Sequence, residues 1–456
     1  MTVTGKLAGF IVEANLKGMP SEIVTIVKRA MIDTLGVALA GSRETEGKAV
    51  TAFVRKLGCK PTAGVIGGKI RTSSLSAALA NGTIAHALDY DDNSSIFHQG
   101  HPSTVLLPVV LSLGEELRSS GREVLEAYVL GIEVWAKISN AMPMLHFKGW
   151  HPTTVFGTIG ATAAAAKLLR LDVEQTMMAL GLASSESAGL VQNFGTMTKP
   201  FQAGNAARSG IMAAMLANEG FTSDKDIIEG DMGFSAAFYR GSTVDISKMT
   251  ENLDTPFATI SQGITIKRYP CCSETHRSLD AILHLIDLYD IKPEEVEAVD
   301  CQVPPRTYKV LFYNDPTTKS EAKFSMQFTM AVALIDRELG LAQFTDEKVN
   351  KPAVKDLMKR VTCRTHSNWI EGKDTDIRPD VVIVRLKNGK EYSYAVDVPK
   401  GHAKLPLTEE ELLTKYRKCA KVVLTDTEVE RCIELVWELE KLKDVKELMG
   451  IVVNAH

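Results

Sequence analysis

The sequence lacks the features that define several large classes of protein. No apolar run reaches the roughly 18 residues of a transmembrane helix, so no membrane-spanning segment is predicted. A net charge of −4 argues against a basic surface for nucleic acid or anionic membranes. The seven cysteines are scattered without a CxxC pair, which argues against a disulfide framework or a thiolate metal cluster.

Nucleotide-binding and hydrolase motifs are also missing. The chain has no GxGxxG after a strand, no P-loop, no HExxH and no GxSxG. Its first 28 residues alternate apolar and polar residues without the basic and continuous apolar regions of a signal peptide, so a cytoplasmic location is expected. With 456 residues, 45% of them hydrophobic, the chain is expected to bury a large core in two or more domains.

Residues 1 to about 240 carry one helical pattern after another. A capping residue near position 20 precedes apolar positions at helical spacing, and Gly41 predicts the end of that helix. The same periodicity predicts further helices at 74–90, 104–118, 121–141, 152–169, 173–188 and 202–219. Residues 1–264 are therefore predicted to form the first part of an all-helical domain.

The pattern changes near residue 255. Alternating β-branched residues predict strands at 257–270 and 296–303, and Asn388-Gly389 predicts a hairpin turn within 380–396. Helical patterns at 274–289, 321–335 and 346–358 lie between these strands. Residues 265–402 are therefore predicted to form a smaller inserted α+β domain. Residues 403–456 return to helix, at 408–422 and 426–448, and are predicted to pack back on the helical domain.

The densest group of ionisable side chains lies between residues 86 and 101. His86 and Asp89 share one face of a helix, and a polar loop is expected to bring His101 back toward them. The His101-Pro102 pair is typical of a helix start, where the cationic form of an imidazole is disfavoured and a neutral base is favoured. A hydrogen-bonded loop between two core helices would explain the same residues without any chemistry.

The same segment also offers ligands for a metal such as Zn, Mn or Fe. The candidate ligands are His86, Asp89, Asp91, Asp92 and His98. Cationic clusters elsewhere in the chain favour an anionic substrate instead, so no metal is predicted.

Outside this segment, one histidine and one lysine lie just before predicted helices. His151 stands in a second His-Pro pair, which repeats the arrangement at His101. Lys199 lies among hydroxyls, glycines and a proline just before a helix rich in small residues. Backbone amides at a helix start together with an ammonium group favour a carboxylate clamp, although an exposed loop lysine is the simpler alternative.

A third cluster lies where the second domain is predicted to begin. It contains Lys267, Arg268, Tyr269 and His276. Clefts commonly form at domain boundaries, so these residues are candidates for substrate binding.

Taken together, these segments resemble the MmgE/PrpD family. The matching segments run in order along essentially the whole chain, at 33–41, 86–92, 101–103, 149–153, 193–200 and 267–272. The family includes 2-methylcitrate dehydratase, cis-aconitate decarboxylase and iminodisuccinate epimerase. The resemblance implies a mainly α fold with an α+β lid domain, an active site between the two domains, no cofactor and a homodimer.

The resemblance also assigns site residues. The catalytic positions of the decarboxylases fall on Asp89, His101, His151, Lys199 and Lys267. Two positions depart from the decarboxylase pattern: Asn93 replaces a threonine, and the segment 324–328 lacks a tyrosine. Asn93 joins Arg268, Tyr269 and His276 as an expected substrate-binding residue. The missing phenol argues against cis-aconitate decarboxylation itself but leaves the shared chemistry in place.

Dehydration, decarboxylation and epimerisation of such acids share an intermediate with carbanion or enolate character beside a carboxylate. Each reaction needs cations on the carboxylates, here Lys199 and Lys267, and a proton carrier that works near neutral pH. His101 and His151 would carry the proton, and Asp89 would orient an imidazole. A lyase is therefore predicted, with an epimerase as the alternative. A metal-dependent hydrolase and a catalytically silent scaffold dimer are further alternatives.

Overall fold

The computed structural model describes residues 2–15, 19–94, 100–253, 255–366 and 378–453. The helices are α1 (Val3–Glu13), α2 (Ser21–Gly41), α3 (Thr45–Leu57), α4 (Ser74–His86), α5 (Pro102–Leu117), α6 (Gly121–Ala141), α7 (Pro152–Leu169), α8 (Val173–Glu186), α9 (Thr198–Asn218), α10 (Phe234–Phe238), α11 (Ala258–Ser261), α12 (His276–Tyr289), α13 (Pro305–Val310), α14 (Lys319–Ala322), α15 (Met326–Asp336), α16 (Asp346–Val349), α17 (Pro352–Met358), α18 (Glu409–Ala420), α19 (Asp426–Trp437) and α20 (Lys446–Val453). The strands are β1 (Ala63–Val65), β2 (Ile70–Thr72), β3 (Asn93–Ser94), β4 (Ile264–Thr265), β5 (Val296–Val303), β6 (Val361–Thr365), β7 (Asp380–Leu386) and β8 (Glu391–Val396). The predicted class, mainly α with a smaller α+β part, is confirmed.

The chain divides into two compact units. The first unit comprises the described residues within Met1–Gln192, Met197–Ile266 and Thr408–His456. The second comprises those within Lys267–Leu407 together with Asn193–Thr196. That short segment groups with the second unit because the ring of Phe194 packs against Phe324, with 5.6 Å between centroids, and its carbonyl accepts a hydrogen bond from Tyr313.

The core of the first unit depends on close contact between α4 and α9. A Cβ atom added to Gly204 of α9 would lie 2.1 Å from the carbonyl oxygen of Leu79 in α4. Only glycine permits this approach of two helix backbones. Leu79 lies seven residues before the end of α4, and Gly204 lies six residues after the start of α9. The two helices therefore place the C-terminal end of α4 beside the N-terminal end of α9.

Both predicted His-Pro helix starts are observed. Helix α5 begins at Pro102 and α7 at Pro152, each with proline in the first turn and histidine just before it. The two starts are adjacent, because the backbone N–H of His101 donates to Thr153 Oγ1 at 3.2 Å. Gly100 permits this contact: its φ is +102°, and an added Cβ would lie 2.7 Å from the Thr153 nitrogen.

The second unit contains a four-stranded sheet in the order β6-β5-β7-β8. Strands β5 and β6 are parallel, and the remaining pairs are antiparallel. The predicted hairpin is observed as β7 and β8, with Gly389 at a φ of +82° in the turn. Strand β6 is not among the strands that the sequence predicts.

Some predicted elements were wrong in extent. The strand predicted at 257–270 is reduced to β4, which pairs with β3, because residues 258–261 form α11. The Glu133 carboxylate accepts the backbone N–H of Ala258 at 2.6 Å and stabilises that helical turn, so tertiary contact overrides the local β preference. The helix predicted at 346–358 is divided where Pro352 starts α17. The helix predicted at 426–448 ends at Trp437, and the Leu442 carbonyl then accepts a hydrogen bond from Gly121.

No helix in the described part of the chain is long and apolar enough to cross a membrane.

Candidate active site

Ionisable side chains from four helix ends meet in the interior of the first unit. His86 ends α4, Asp89 and Asp91 follow it, and His101 and His151 precede α5 and α7. Lys199 lies in the first turn of α9. Each of these residues is buried except His101, whose side chain is 15% exposed. Four of the five predicted catalytic residues, Asp89, His101, His151 and Lys199, therefore lie in one unit.

The geometry of α4 and α9 brings Asp89 to Lys199. The ammonium nitrogen of Lys199 donates to Asp89 Oδ1 at 2.6 Å, and both side chains are 5% exposed. Asp89 has a φ of +51°, a left-handed conformation that non-glycine residues adopt at a cost. This local turn directs the chain after α4 back over the end of the helix, so that Asp91 returns to His86.

His101 has a defined tautomer. Its Nδ1 lies 2.9 Å from the backbone carbonyl oxygen of Asp92 and 2.8 Å from Asp91 Oδ2. Both atoms are acceptors, so Nδ1 carries the proton and the lone pair of the neutral ring is on Nε2. That Nε2 lies 4.0 Å from Asp89 Oδ1. Asp89, expected to orient an imidazole, therefore stands on the Nε2 side of the ring, beyond hydrogen-bond distance.

His151 has the same tautomer for a different reason. Its Nδ1 lies 2.7 Å from Gln202 Oε1. The amide nitrogen of Gln202 donates to the Leu190 carbonyl at 3.2 Å, which fixes the oxygen toward the ring. Burial, together with the charge of Lys199, holds the pKa of His151 well below its usual value. This ring is therefore neutral near pH 7, with its lone pair on Nε2.

His86 and Asp91 lie beneath the other imidazoles. His86 Nδ1 is 2.9 Å from Asp91 Oδ1, and its ring centroid is 4.5 Å from that of His101 and 6.2 Å from that of His151. Burial lowers the pKa of His86 to about 3, although the Asp91 charge acts in the opposite direction. Burial also opposes ionisation of Asp91, but His86 and His101 outweigh it and hold the pKa of that carboxyl well below its usual value.

Asp92 points away from this group. Its carboxylate accepts the backbone N–H of Ser103 at 3.1 Å and the Ser103 hydroxyl, which also contacts Tyr128. Burial raises the pKa of Asp92 to about 8, so this carboxyl is mostly protonated near neutral pH. Asp92 therefore stabilises the start of α5.

Among the described residues, one group has the donor types of a metal site. His86, Asp89, Asp91 and His101 each offer a ligand atom, and these atoms lie within 4.8 Å of one another. The group includes His101 in place of Asp92, and His98 lies outside the described residues. A cation bound there would compete with the Lys199 ammonium for Asp89 and with two imidazole N–H groups for Asp91.

The remaining predicted site residues are Asn93 in the first unit and four residues of the second unit. Asn93 is buried in the first unit, where its backbone pairs with Thr265. Lys267, Arg268, Tyr269 and His276 belong to the second unit, and Lys267 is fully buried. The Tyr269 hydroxyl donates to Asp280 Oδ1 at 2.6 Å, and Arg268 contacts the same oxygen at 3.3 Å.

Tyr269 and His276 also contact each other within the second unit. Their rings are edge to face, with 5.2 Å between centroids. Burial raises the pKa of the Tyr269 phenol well above its usual value, so this group stays protonated near neutral pH.

Sequence reasoning missed two contributors to the first unit's site. The sequence predicts Asp91 only as a possible metal ligand and predicts no role for Gln202. Gln202 is a polar residue in a helix of mostly small side chains, three positions after Lys199, and that spacing was an available signal. In the segment 324–328, Phe324 packs on Phe194 and Phe328 on Phe344, so aromatic rings without hydroxyls fill it.

Comparison with known proteins shows where such a chain belongs. The profile of the MmgE/PrpD N-terminal domain matches residues 5–247, and that of the MmgE/PrpD C-terminal domain matches residues 269–441. The cis-aconitate decarboxylase of Homo sapiens is 30% identical over 474 aligned residues, covering 99% of this chain and 94% of that protein. The cis-aconitate decarboxylases of Mus musculus and Aspergillus terreus are 29% and 27% identical, each across 99% of this chain and 93% and 96% of the relative. The chain therefore belongs to the MmgE/PrpD family.

Proposed function

We propose that this chain is a cofactor-independent lyase that acts on a small di- or tricarboxylic acid. The observation that carries the proposal is the pair of imidazoles, His101 and His151, each with its lone pair on Nε2, in a buried site that also holds the Lys199 ammonium. Two relatives that match the chain over 99% of its length, those of Homo sapiens and Mus musculus, are cis-aconitate decarboxylases, which are lyases. We further propose that the enzyme is a homodimer, as the family resemblance implies.

The proposed chemistry uses one base and two cations. Nε2 of His101 or His151 removes a proton from the carbon beside a substrate carboxylate, and the electron pair delocalises into that carboxylate. In a dehydration the electron pair then forms the double bond, and hydroxide leaves as water after protonation by an imidazolium. A decarboxylation begins without this proton removal: the C–CO₂ bond breaks, CO₂ leaves, and the electron pair stays on carbon and delocalises into the neighbouring π system. The imidazolium form of His101 or His151, protonated from solvent, then protonates that carbon. Lys199 and Lys267 are proposed to bind substrate carboxylates, because ammonium groups stabilise the charge that develops there.

A substrate panel tests this proposal. The purified protein is incubated in heavy water with 2-methylcitrate, citrate, cis-aconitate and iminodisuccinate, and products are followed by proton NMR. We expect elimination of water or CO₂ from at least one acid, and the rate should survive exhaustive dialysis against EDTA. Epimerisation of iminodisuccinate without elimination would make the chain an isomerase. Loss of activity on EDTA treatment with recovery on adding one divalent ion would contradict cofactor independence.

Replacing Lys199 by methionine should lower kcat/KM by roughly ten- to hundredfold. A charge-assisted hydrogen bond from this ammonium to a substrate carboxylate is worth roughly 1.5–3 kcal/mol. The matched control is Lys225→Met, which removes a solvent-exposed lysine that pairs with Glu174 in the same unit. Steady-state kinetics of both variants on the active substrate provide the measurement.

The Lys199–Asp89 ion pair makes a double variant necessary. Lys199→Met alone leaves Asp89 buried without its cation, which by itself would disturb the site. If Lys199 binds substrate, Lys199→Met combined with Asp89→Asn should remain as slow as the single variant. Recovery of wild-type kinetics in the double variant would instead show that the lysine only neutralises Asp89.

A further inference from the structure

Asp91 is shared between two imidazoles. Its Oδ1 lies 2.9 Å from His86 Nδ1, and its Oδ2 lies 2.8 Å from His101 Nδ1. The side chains of Asp91 and His86 are completely buried. A carboxylate held in this way faces imidazole nitrogens on both sides in a region that excludes solvent.

We propose that Asp91 and His86 are positioning residues that hold His101 with its proton on Nδ1 and its lone pair on Nε2. The catalytic consequence of this arrangement rests on the proposed function, whereas the tautomer is a property of the resting protein. Asp91 Oδ2, 2.8 Å from Nδ1, supplies the negative charge that favours the proton on that nitrogen and makes Nε2 more basic, while the backbone carbonyl of Asp92 is the acceptor of the Nδ1–H hydrogen bond. His86 holds Asp91 in place through its own Nδ1.

The carboxyl groups of the two neighbouring aspartates do not serve this purpose. Asp89 Oδ1 stands 4.0 Å from Nε2, on the opposite side of the His101 ring, and accepts a hydrogen bond from Lys199. Asp92 contacts Nδ1 only through its backbone carbonyl, because its carboxyl group bonds Ser103. Among the three aspartates, only Asp91 places a carboxylate oxygen within 3 Å of Nδ1.

Burying a histidine at position 86 lowers the stability of the fold unless the side chain has a specific role. Its Nε2 is buried and has no hydrogen-bond partner among the described residues, and burying an unsatisfied polar atom is unfavourable. An apolar side chain would fill the same space without that cost. His86 donates a hydrogen bond from Nδ1 to Asp91, and its ring centroid lies 4.5 Å from that of His101. An apolar residue could occupy this position beside His101 but could not donate to Asp91.

Nitrogen NMR of the resting protein tests the tautomer without any substrate. Protein labelled with ¹⁵N-histidine is recorded across pH, and the His101 signals are assigned by their loss in His101→Gln. We expect wild-type His101 to be protonated on Nδ1 in its neutral form. In Asp91→Asn, the amide can donate to Nδ1, so the ring should shift toward the Nε2–H form. A wild-type ring protonated on Nε2, or an unchanged tautomer in Asp91→Asn, would overturn the proposal.

Kinetics supply the second readout. The ionisable groups around His101 are Asp89, Asp91, His86, His151 and Lys199. Loss of the Asp91 charge alone lowers the pKa of His101, so the acidic limb of the kcat/KM profile should move to lower pH. The maximum rate should fall roughly tenfold or more.

Asp92→Asn is the matched control. It makes the same substitution one residue along, at a carboxyl that is mostly protonated and bonds Ser103, so the tautomer and the pH profile should not change. If Asp91→Asn does not fold, the tautomer of His101 is measured in His86→Gln and compared with that in the wild-type protein. A shifted tautomer in a protein that turns over none of the four acids would reject the proposed function and leave the positioning role intact.

Discussion

Replacing His101 by glutamine is expected to lower kcat by about 10²- to 10⁴-fold with little change in melting temperature, the typical loss when a general acid or base is removed. The Nδ1 of His101 is held by two acceptors, so its Nε2 is the nitrogen that can accept a proton. His151→Gln should have a comparable effect, because that ring presents the same nitrogen from the start of α7. Solvent deuterium exchange at the carbon beside the substrate carboxylate should fall in parallel with kcat.

His284→Gln is the control for both variants. That histidine is solvent-exposed in α12 and packs on Tyr394 within the second unit, so its replacement should leave kcat and the exchange rate unchanged. If both His101→Gln and His151→Gln exchange the substrate proton at the wild-type rate, the two histidines only stabilise helix starts. The base would then have to be sought among Lys199, Lys267 and Tyr269.

Local signals in the sequence predicted much of the framework. The two His-Pro pairs placed the starts of α5 and α7 within two residues, and Asn388-Gly389 placed the β7–β8 hairpin. These predictions succeeded because proline in the first helical turn and glycine at positive φ act within a few residues of chain. The strand predicted at 257–270 failed because the deciding contact, from Glu133 to Ala258, spans 125 residues.

For the candidate site, too, the sequence predicts the local features but not the contacts that depend on the fold. Local spacing predicted that His86, Asp89 and His101 would lie together. It did not predict which aspartate would face which imidazole nitrogen, because that depends on the left-handed turn at Asp89. The contact between Gln202 and His151 was also beyond local reasoning, since it requires α7 and α9 to be packed against each other.

A buried lysine from the C-terminal part of the chain supports the segment that carries the site aspartates. Lys415 in α18 lies 2.6 Å from Asp33 Oδ1 of α2, and it donates to the backbone carbonyl of Tyr90 at 2.7 Å. Its ammonium also lies 3.8 Å from the centre of the Tyr90 ring. Tyr90 stands between Asp89 and Asp91, so one side chain connects the C-terminal helices to the turn on which both carboxylates depend.

Replacing Lys415 by methionine is expected to lower the free energy of unfolding by about 3–5 kcal/mol, because it removes the ammonium group that pairs with the fully buried Asp33 carboxylate. The control is Lys421→Met, which removes a surface pair with Asp426 and should cost at most about 1 kcal/mol. Urea denaturation of the three proteins, followed by circular dichroism, measures both changes. Combining Lys415→Met with Asp33→Asn should restore part of the lost stability, since the buried charge is then removed.

The double variant should nevertheless have a lower kcat than the wild type. Its Tyr90 carbonyl no longer receives the hydrogen bond from the Lys415 ammonium, so the turn from Asp89 to Asp91 is less restrained. Equal stability of Lys415→Met and Lys421→Met would contradict this account of the pair, and wild-type turnover in the double variant would show that the turn holds its geometry without Lys415.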